Sequence, residues 1–72
     1  MQNKFQIIIG SPTDYEELVA YVWINGEEIA LIQKEEGIDK MKVEFFGEKI
    51  KVELYLDIFI KALQEARNEL MK

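Results

Sequence analysis

The 72-residue chain contains no cysteine and no histidine, and its only aliphatic hydroxyl groups belong to Ser11 and Thr13. Without cysteine there can be no disulfide and no thiolate metal site, and without histidine the commonest general base of enzymes is missing. The sequence also has no glycine-rich phosphate loop and no calcium-binding loop. Its many carboxylates are typical of solubilising surface charge. We therefore predict that the protein is not an enzyme and that it binds neither a metal nor a cofactor.

Positive charge is also scarce, since 9 Lys and Arg residues face 14 Asp and Glu residues, which gives a net charge of −5. A nucleic-acid-binding protein needs basic side chains gathered on one face to displace counterions from phosphates. The acidic balance argues against such a partner and favours encounter with a basic protein.

Long hydrophobic runs are missing as well. The first ten residues hold one short apolar run, and Pro12 follows closely, so this segment is too short for a secretory signal or a membrane span. We expect a cytoplasmic protein without a membrane partner. The composition of 49% hydrophobic and 32% charged residues is typical of one globular domain over residues 1–72.

What the sequence does contain is a strong hairpin signal. Two apolar runs within residues 18–33 are joined by Asn25-Gly26, the pair that best tolerates the positive φ angles of a type I′ turn. If Ile24 lies opposite Glu27, uninterrupted pairing places Val22 opposite Ile29 and Ala20 opposite Leu31.

In that register both faces of the hairpin are apolar. The first face carries Leu18, Ala20, Val22, Ile29 and Leu31, and the second carries Val19, Tyr21, Trp23, Ala30 and Ile32. A sheet covered on one side should alternate between apolar and polar residues. One face therefore needs cover from another protein, from a second copy or from the N-terminal segment, and the pattern does not decide which face carries a helix.

The remaining elements follow from local patterns. Residues 4–9 are β-branched and aromatic and predict a first strand. Residues 11–20 fit either a capped helix start or a strand, and we favour a loop or one helical turn followed by a strand from about Glu16. Residues 35–40 predict a loop around Gly37. Residues 41–45 and 50–54 alternate strictly and predict a second hairpin around Gly47-Glu48.

A helix should close the chain. Asp57 is a plausible N-cap, and apolar residues recur behind it at helical spacing, namely Phe59, Ala62, Leu63, Ala66 and Leu70. The predicted fold class is α+β, with an antiparallel sheet of about five strands in two tight hairpins and one C-terminal helix packed on one face.

The candidate site combines the aromatic hairpin face with acidic residues that the returning strands should bring to its open end. Exposed aromatic residues commonly anchor protein interfaces. The predicted partner-binding residues are Asp14, Tyr15, Glu16, Glu17, Val19, Tyr21, Trp23, Glu28, Ile32, Glu35 and Glu36.

Several short segments resemble one family. They are Tyr15-Glu16-Glu17-Leu18-Val19-Ala20, Trp23-Ile24-Asn25-Gly26-Glu27, Ala30-Leu31-Ile32, Glu36-Gly37, Glu44-Phe45, and the closing Leu56-Asp57-x-Phe59-x-x-Ala62-Leu63-Gln64-Glu65-Ala66. Together they look like small acidic bacterial immunity proteins of polymorphic toxin and contact-dependent growth inhibition systems. The resemblance implies a cytoplasmic protein that binds and blocks one toxin domain, often a basic nuclease, and it assigns no individual binding residue.

Two other functions fit the same residues. One is a homo-oligomer, such as a homodimer, with a structural or adaptor role, in which the leftover apolar face pairs with its own copy. The other is a phage-encoded acidic inhibitor of a host defence nuclease, which differs from an immunity protein only in its target and genomic setting.

Overall fold

The computed structural model describes residues 4–46 and 55–72. These ranges hold four strands, β1 (Phe5–Gly10), β2 (Val19–Ile24), β3 (Glu27–Gln33) and β4 (Lys42–Phe45), a short 3₁₀ helix (Ile38–Lys40), and the helix α1 (Leu56–Leu70). The strands form one antiparallel sheet in the order β1-β2-β3-β4. The α+β class, the antiparallel sheet and the C-terminal helix are confirmed, whereas the predicted strand at residues 50–54 and its turn lie outside the described residues.

The turn between β2 and β3 is the one that the sequence predicts. Asn25 has a φ of 53° and Gly26 a φ of 83°, which are the two positive values of a type I′ turn. Ile24 lies opposite Glu27 and Trp23 opposite Glu28. This part of the hairpin register is confirmed.

Beyond Trp23 the predicted register is wrong because the hairpin contains a β-bulge. The pairing shifts between Val22 and Trp23, so that Val22 lies opposite Ala30 instead of Ile29. One extra residue on β3 reverses the side on which the following residues point. Ala30 and Ile32 thus share the face of Val22, and Leu31 shares the opposite face with Tyr21.

The helix packs on β1 and β2 and covers the face that carries Val22. Its stripe is the predicted one, since Ala62, Ala66 and Leu70 are buried and Phe59 and Leu63 pack beside them. The two alanines let the helix backbone lie close to the sheet. The helix itself begins two residues earlier than predicted, with Tyr55 rather than Asp57 as N-cap. Asp57 lies within the first turn, where its negative charge interacts favourably with the positive end of the helix dipole.

Residues 11–18 form a loop between β1 and β2, called here the β1–β2 loop. Strand β2 begins at Val19 rather than near Glu16. The reason is that the backbone N–H groups of Glu16 and Glu17 donate to the Glu35 carboxylate, at 3.0 and 2.8 Å. Those donors are then unavailable for a strand ladder, and a helix does not form either.

Candidate protein-binding face

The sheet face turned away from the helix, called here the open face, is built by alternate residues of the four strands. One row across the sheet runs from Ile8 through Tyr21 and Leu31 to Glu44. The next row, toward the Asn25-Gly26 turn, places Trp23 between Gln6 and Glu28. The aromatic residues of the predicted site therefore lie on the sheet surface without the helix.

The β1–β2 loop reaches across this face to the far strands. The Tyr15 hydroxyl donates to Glu44 Oε1 at 2.6 Å. Glu44 belongs to β4, at the opposite edge of the sheet from β1, the strand that leads into the loop. The Glu35 carboxylate, just after β3, receives the two loop N–H groups of Glu16 and Glu17. Two carboxylates on the β3–β4 side of the sheet thus hold the loop in place.

Gln33 links these two attachment points. Its Nε2 donates to Glu44 Oε2 at 3.3 Å, and its Oε1 accepts the N–H of Glu35 at 3.0 Å. Gln33 is 8% exposed, and both ends of its amide have partners, as a buried polar group requires. Neither Gln33 nor Glu44 was among the residues predicted from the sequence. Glu44 receives its hydrogen bond from Tyr15, 29 residues away, and Gln33 matters only because it contacts Glu44 and Glu35, so no local pattern indicates either residue.

Burial divides the open face into two parts. Near the β1–β2 loop, Val19 is 0% exposed and Leu31 is 4% exposed. Toward the Asn25-Gly26 turn, Tyr21 and Trp23 are partly exposed and Ile8 is 40% exposed. We call Ile8, Tyr21 and Trp23 together the aromatic strip. The part of the leftover apolar face beside the β1–β2 loop is therefore buried, whereas the strip remains in contact with solvent.

The loop carries the negative charge of this region. Asp14, Glu16 and Glu17 are exposed, as are Glu35 and Glu36 after β3. Lys42 forms an ion pair with Glu36, so one of these five charges is offset. The side chains of Glu16 and Glu17 have no role in holding the loop, because only their backbone groups bind Glu35.

Tyr15 reports directly on the loop attachment. Its hydrogen bond to Glu44, with partial desolvation and the negative charges of Glu44 and Asp14, raises its pKa to about 12 from the ordinary value of 10.0. A raised pKa means that the folded state holds the proton more tightly than the unfolded state. The stabilisation from this contact is therefore complete below about pH 10 and is lost as the pH rises toward 12.

We expect an ultraviolet titration of tyrosinate absorbance to show a component with a midpoint near pH 12 that disappears in the Tyr15→Phe variant. A Tyr55→Phe variant serves as the control, since Tyr55 is 71% exposed at the helix start and its loss should leave that component in place. A Tyr15 component centred near pH 10 would contradict the attachment to Glu44.

Most of the predicted site residues lie on the open face or along its acidic border, with two corrections. Val19 is fully buried, and Ile32 is 4% exposed in the core on the helix side of the sheet. Ile32 lies on that side because of the β-bulge, so neither residue offers exposed surface on the open face. Asp14, Tyr15, Glu16, Glu17, Tyr21, Trp23, Glu28, Glu35 and Glu36 remain as candidate contact residues.

Across residues 4–46 and 55–72 there is no group of three or more Asp and Glu residues arranged to hold a metal ion. No helix in these ranges is long and apolar enough to cross a membrane. No protein-family model matches the chain, and neither the curated proteins nor the solved structures compared with it give a match.

Proposed function

We propose that the protein is a non-enzymatic inhibitor that binds and occludes a basic protein, as an immunity protein does with its cognate toxin domain. The observation that carries this proposal is the aromatic strip lying beside an acidic loop on the same face. Aromatic side chains supply contact area in the centre of interfaces, and rim carboxylates accelerate encounter with a basic partner. The resemblance of the sequence to acidic immunity proteins points in the same direction.

The architecture suits a binding surface that is formed before the partner arrives. The strip lies on β-strands, and the loop beside it is held by Glu35 and Glu44 rather than left free. A preorganised surface loses less conformational entropy on binding than a flexible one. The exposed carboxylates of the loop are then available to a partner while the backbone keeps its place.

The partner should be sought first by purifying a tagged chain from cells that express its native locus. We expect a basic toxin domain encoded beside the gene to co-purify, and the isolated complex to be inactive as a toxin. If a host defence nuclease co-purifies instead, the protein is a phage-encoded inhibitor and not an immunity protein. A partner that binds while remaining fully active would contradict an inhibitory function.

Affinity measurements with the isolated partner then test the face. Trp23→Ala should weaken binding by about tenfold or more, because a central aromatic anchor is commonly worth over 1 kcal/mol. The double variant Glu16→Lys and Glu17→Lys should slow association, with a larger effect at low salt. It leaves the Glu35 contacts intact, since those use the backbone.

A matched control changes net charge by the same amount on the helix, through Asp57→Lys and Glu65→Lys, both exposed. If this control slows association as much as the loop variant does, overall charge and not the acidic loop drives the encounter. If Trp23→Ala also binds as the natural sequence does, the open face is not the interface.

A further inference from the structure

A second apolar surface lies on the helix side of the sheet. Because α1 packs on β1 and β2, an open groove of about 290 Å³ remains between the helix, the 3₁₀ helix and β4. Its apolar walls include Ile38, Met41, Val43 and Leu63, and the charged residues Asp39 and Arg67 also line it.

Several apolar side chains in and beside the groove are exposed to solvent. Ile38 is 52% exposed and Val43 is 39% exposed, and Phe45, the next β4 residue on the same face, is 66% exposed. This surface and the open face lie on opposite sides of the sheet.

The charges of the groove differ from those of the open face. Asp39 and Arg67 have opposite signs, and within the described part of the chain no ion pair joins them to each other or to another residue. The groove lining therefore has no net charge, and it carries one negative and one positive side chain that can form ion pairs. Such a surface gives a basic partner no electrostatic advantage, whereas it removes the repulsion that two acidic copies meet elsewhere.

We propose that this groove is the interface of a homodimer, in which each copy covers the groove of the other. A two-fold axis makes the same patch face itself, so Asp39 of one copy can meet Arg67 of the other and the reverse. The open face stays free in both copies. Dimerisation through the groove does not depend on the identity of the inhibited partner, so the homodimer and the inhibitory function can each be disproved without the other.

The first test is sedimentation equilibrium over the range from 1 μM to 1 mM at moderate salt. Because the surface consists of a few exposed side chains around one groove, we expect a weak, reversible dimer with a dissociation constant on the order of 10 to 100 μM. A monomer throughout this range would overturn the proposal.

A pair of matched variants locates the interface. Val43→Lys and Ile8→Lys each place one lysine at a β-strand residue that is about 40% exposed, 39% and 40% respectively, but on opposite faces of the sheet. We expect Val43→Lys to weaken dimerisation by about tenfold or more and Ile8→Lys to leave it unchanged, with circular dichroism confirming that both fold. If Ile8→Lys weakens the dimer as much, or if Val43→Lys has no effect, the groove is not the interface.

The charged pair can be tested by exchange. Asp39→Arg and Arg67→Asp should each weaken the dimer, and the combined variant should recover most of the loss, because opposite charges again face each other across the axis. Because the chain contains no cysteine, a single introduced cysteine can test directly which residues lie close together in the dimer. A single Ile38→Cys should form an intermolecular disulfide faster than a single Ile8→Cys, and equal rates would overturn the arrangement.

Discussion

Replacing Leu70 with alanine is expected to lower the free energy of unfolding by about 2 to 4 kcal/mol, as large-to-small changes in a core do. Leu70 is 3% exposed and closes the core at the C-terminal end of α1. Its backbone oxygen also accepts a hydrogen bond from Lys34 Nζ at 2.9 Å, so the cavity would lie where the helix end is attached to the segment after β3. A domain of this size has only about 3 to 5 kcal/mol of net stability, so the variant should retain little of it.

Urea unfolding followed by far-ultraviolet circular dichroism measures this effect. Met71→Ala is the matched control, because Met71 is the next residue, is similar in size and is 46% exposed. We expect its free energy of unfolding to stay within about 0.5 kcal/mol of that of the natural sequence. Equal losses in the two variants would show that Leu70 does not have the central packing role assigned to it.

Replacing Gly10 with alanine is the second large effect, and we expect a loss of about 1 to 3 kcal/mol from overpacking. A Cβ atom at Gly10 would lie 2.7 Å from Cε2 of Tyr21, which is closer than such atoms approach in folded proteins. The Tyr21 ring lies against the glycine backbone from the neighbouring strand, and it must move to make room. Thermal unfolding of the variant gives the cost.

A double-mutant cycle identifies the cause. In a Tyr21→Ala background the Gly10→Ala change should cost little, because the ring that it meets is gone. If the cost is the same in both backgrounds, the loss comes from the backbone of β1 and not from Tyr21. The single variant should also weaken partner binding under the proposed function, since Tyr21 belongs to the aromatic strip.

The two surfaces of the sheet differ in burial. The helix side holds most of the buried apolar residues, among them Val22 and Ala66. On the open side, some apolar residues are buried near the β1–β2 loop and others form the exposed strip. A change on the open side should therefore alter binding with less loss of stability than a change under the helix.

Several features of the protein could be predicted from residues close together in the chain. Asn25-Gly26 determines a type I′ turn because few other pairs accept positive φ twice. The stripe from Phe59 to Leu70 determines which side of the helix is buried, because helical spacing brings those residues together. The alternation in residues 41–45 likewise predicts a strand, and β4 was found there, from Lys42 to Phe45.

Other features depend on residues far apart in the chain, and only the tertiary structure decides them. The β-bulge moves Ile32 from the predicted binding face into the core, and an apolar sequence on both faces gives no signal for it. The loop takes its place because Tyr15 meets Glu44 and because Glu35 receives two backbone N–H groups, contacts that span 18 to 29 residues. The groove beside β4 arises from the position of the helix over β1 and β2. Local sequence determined the elements of this protein, whereas long-range contacts decided which of its apolar surfaces are covered and which are left exposed.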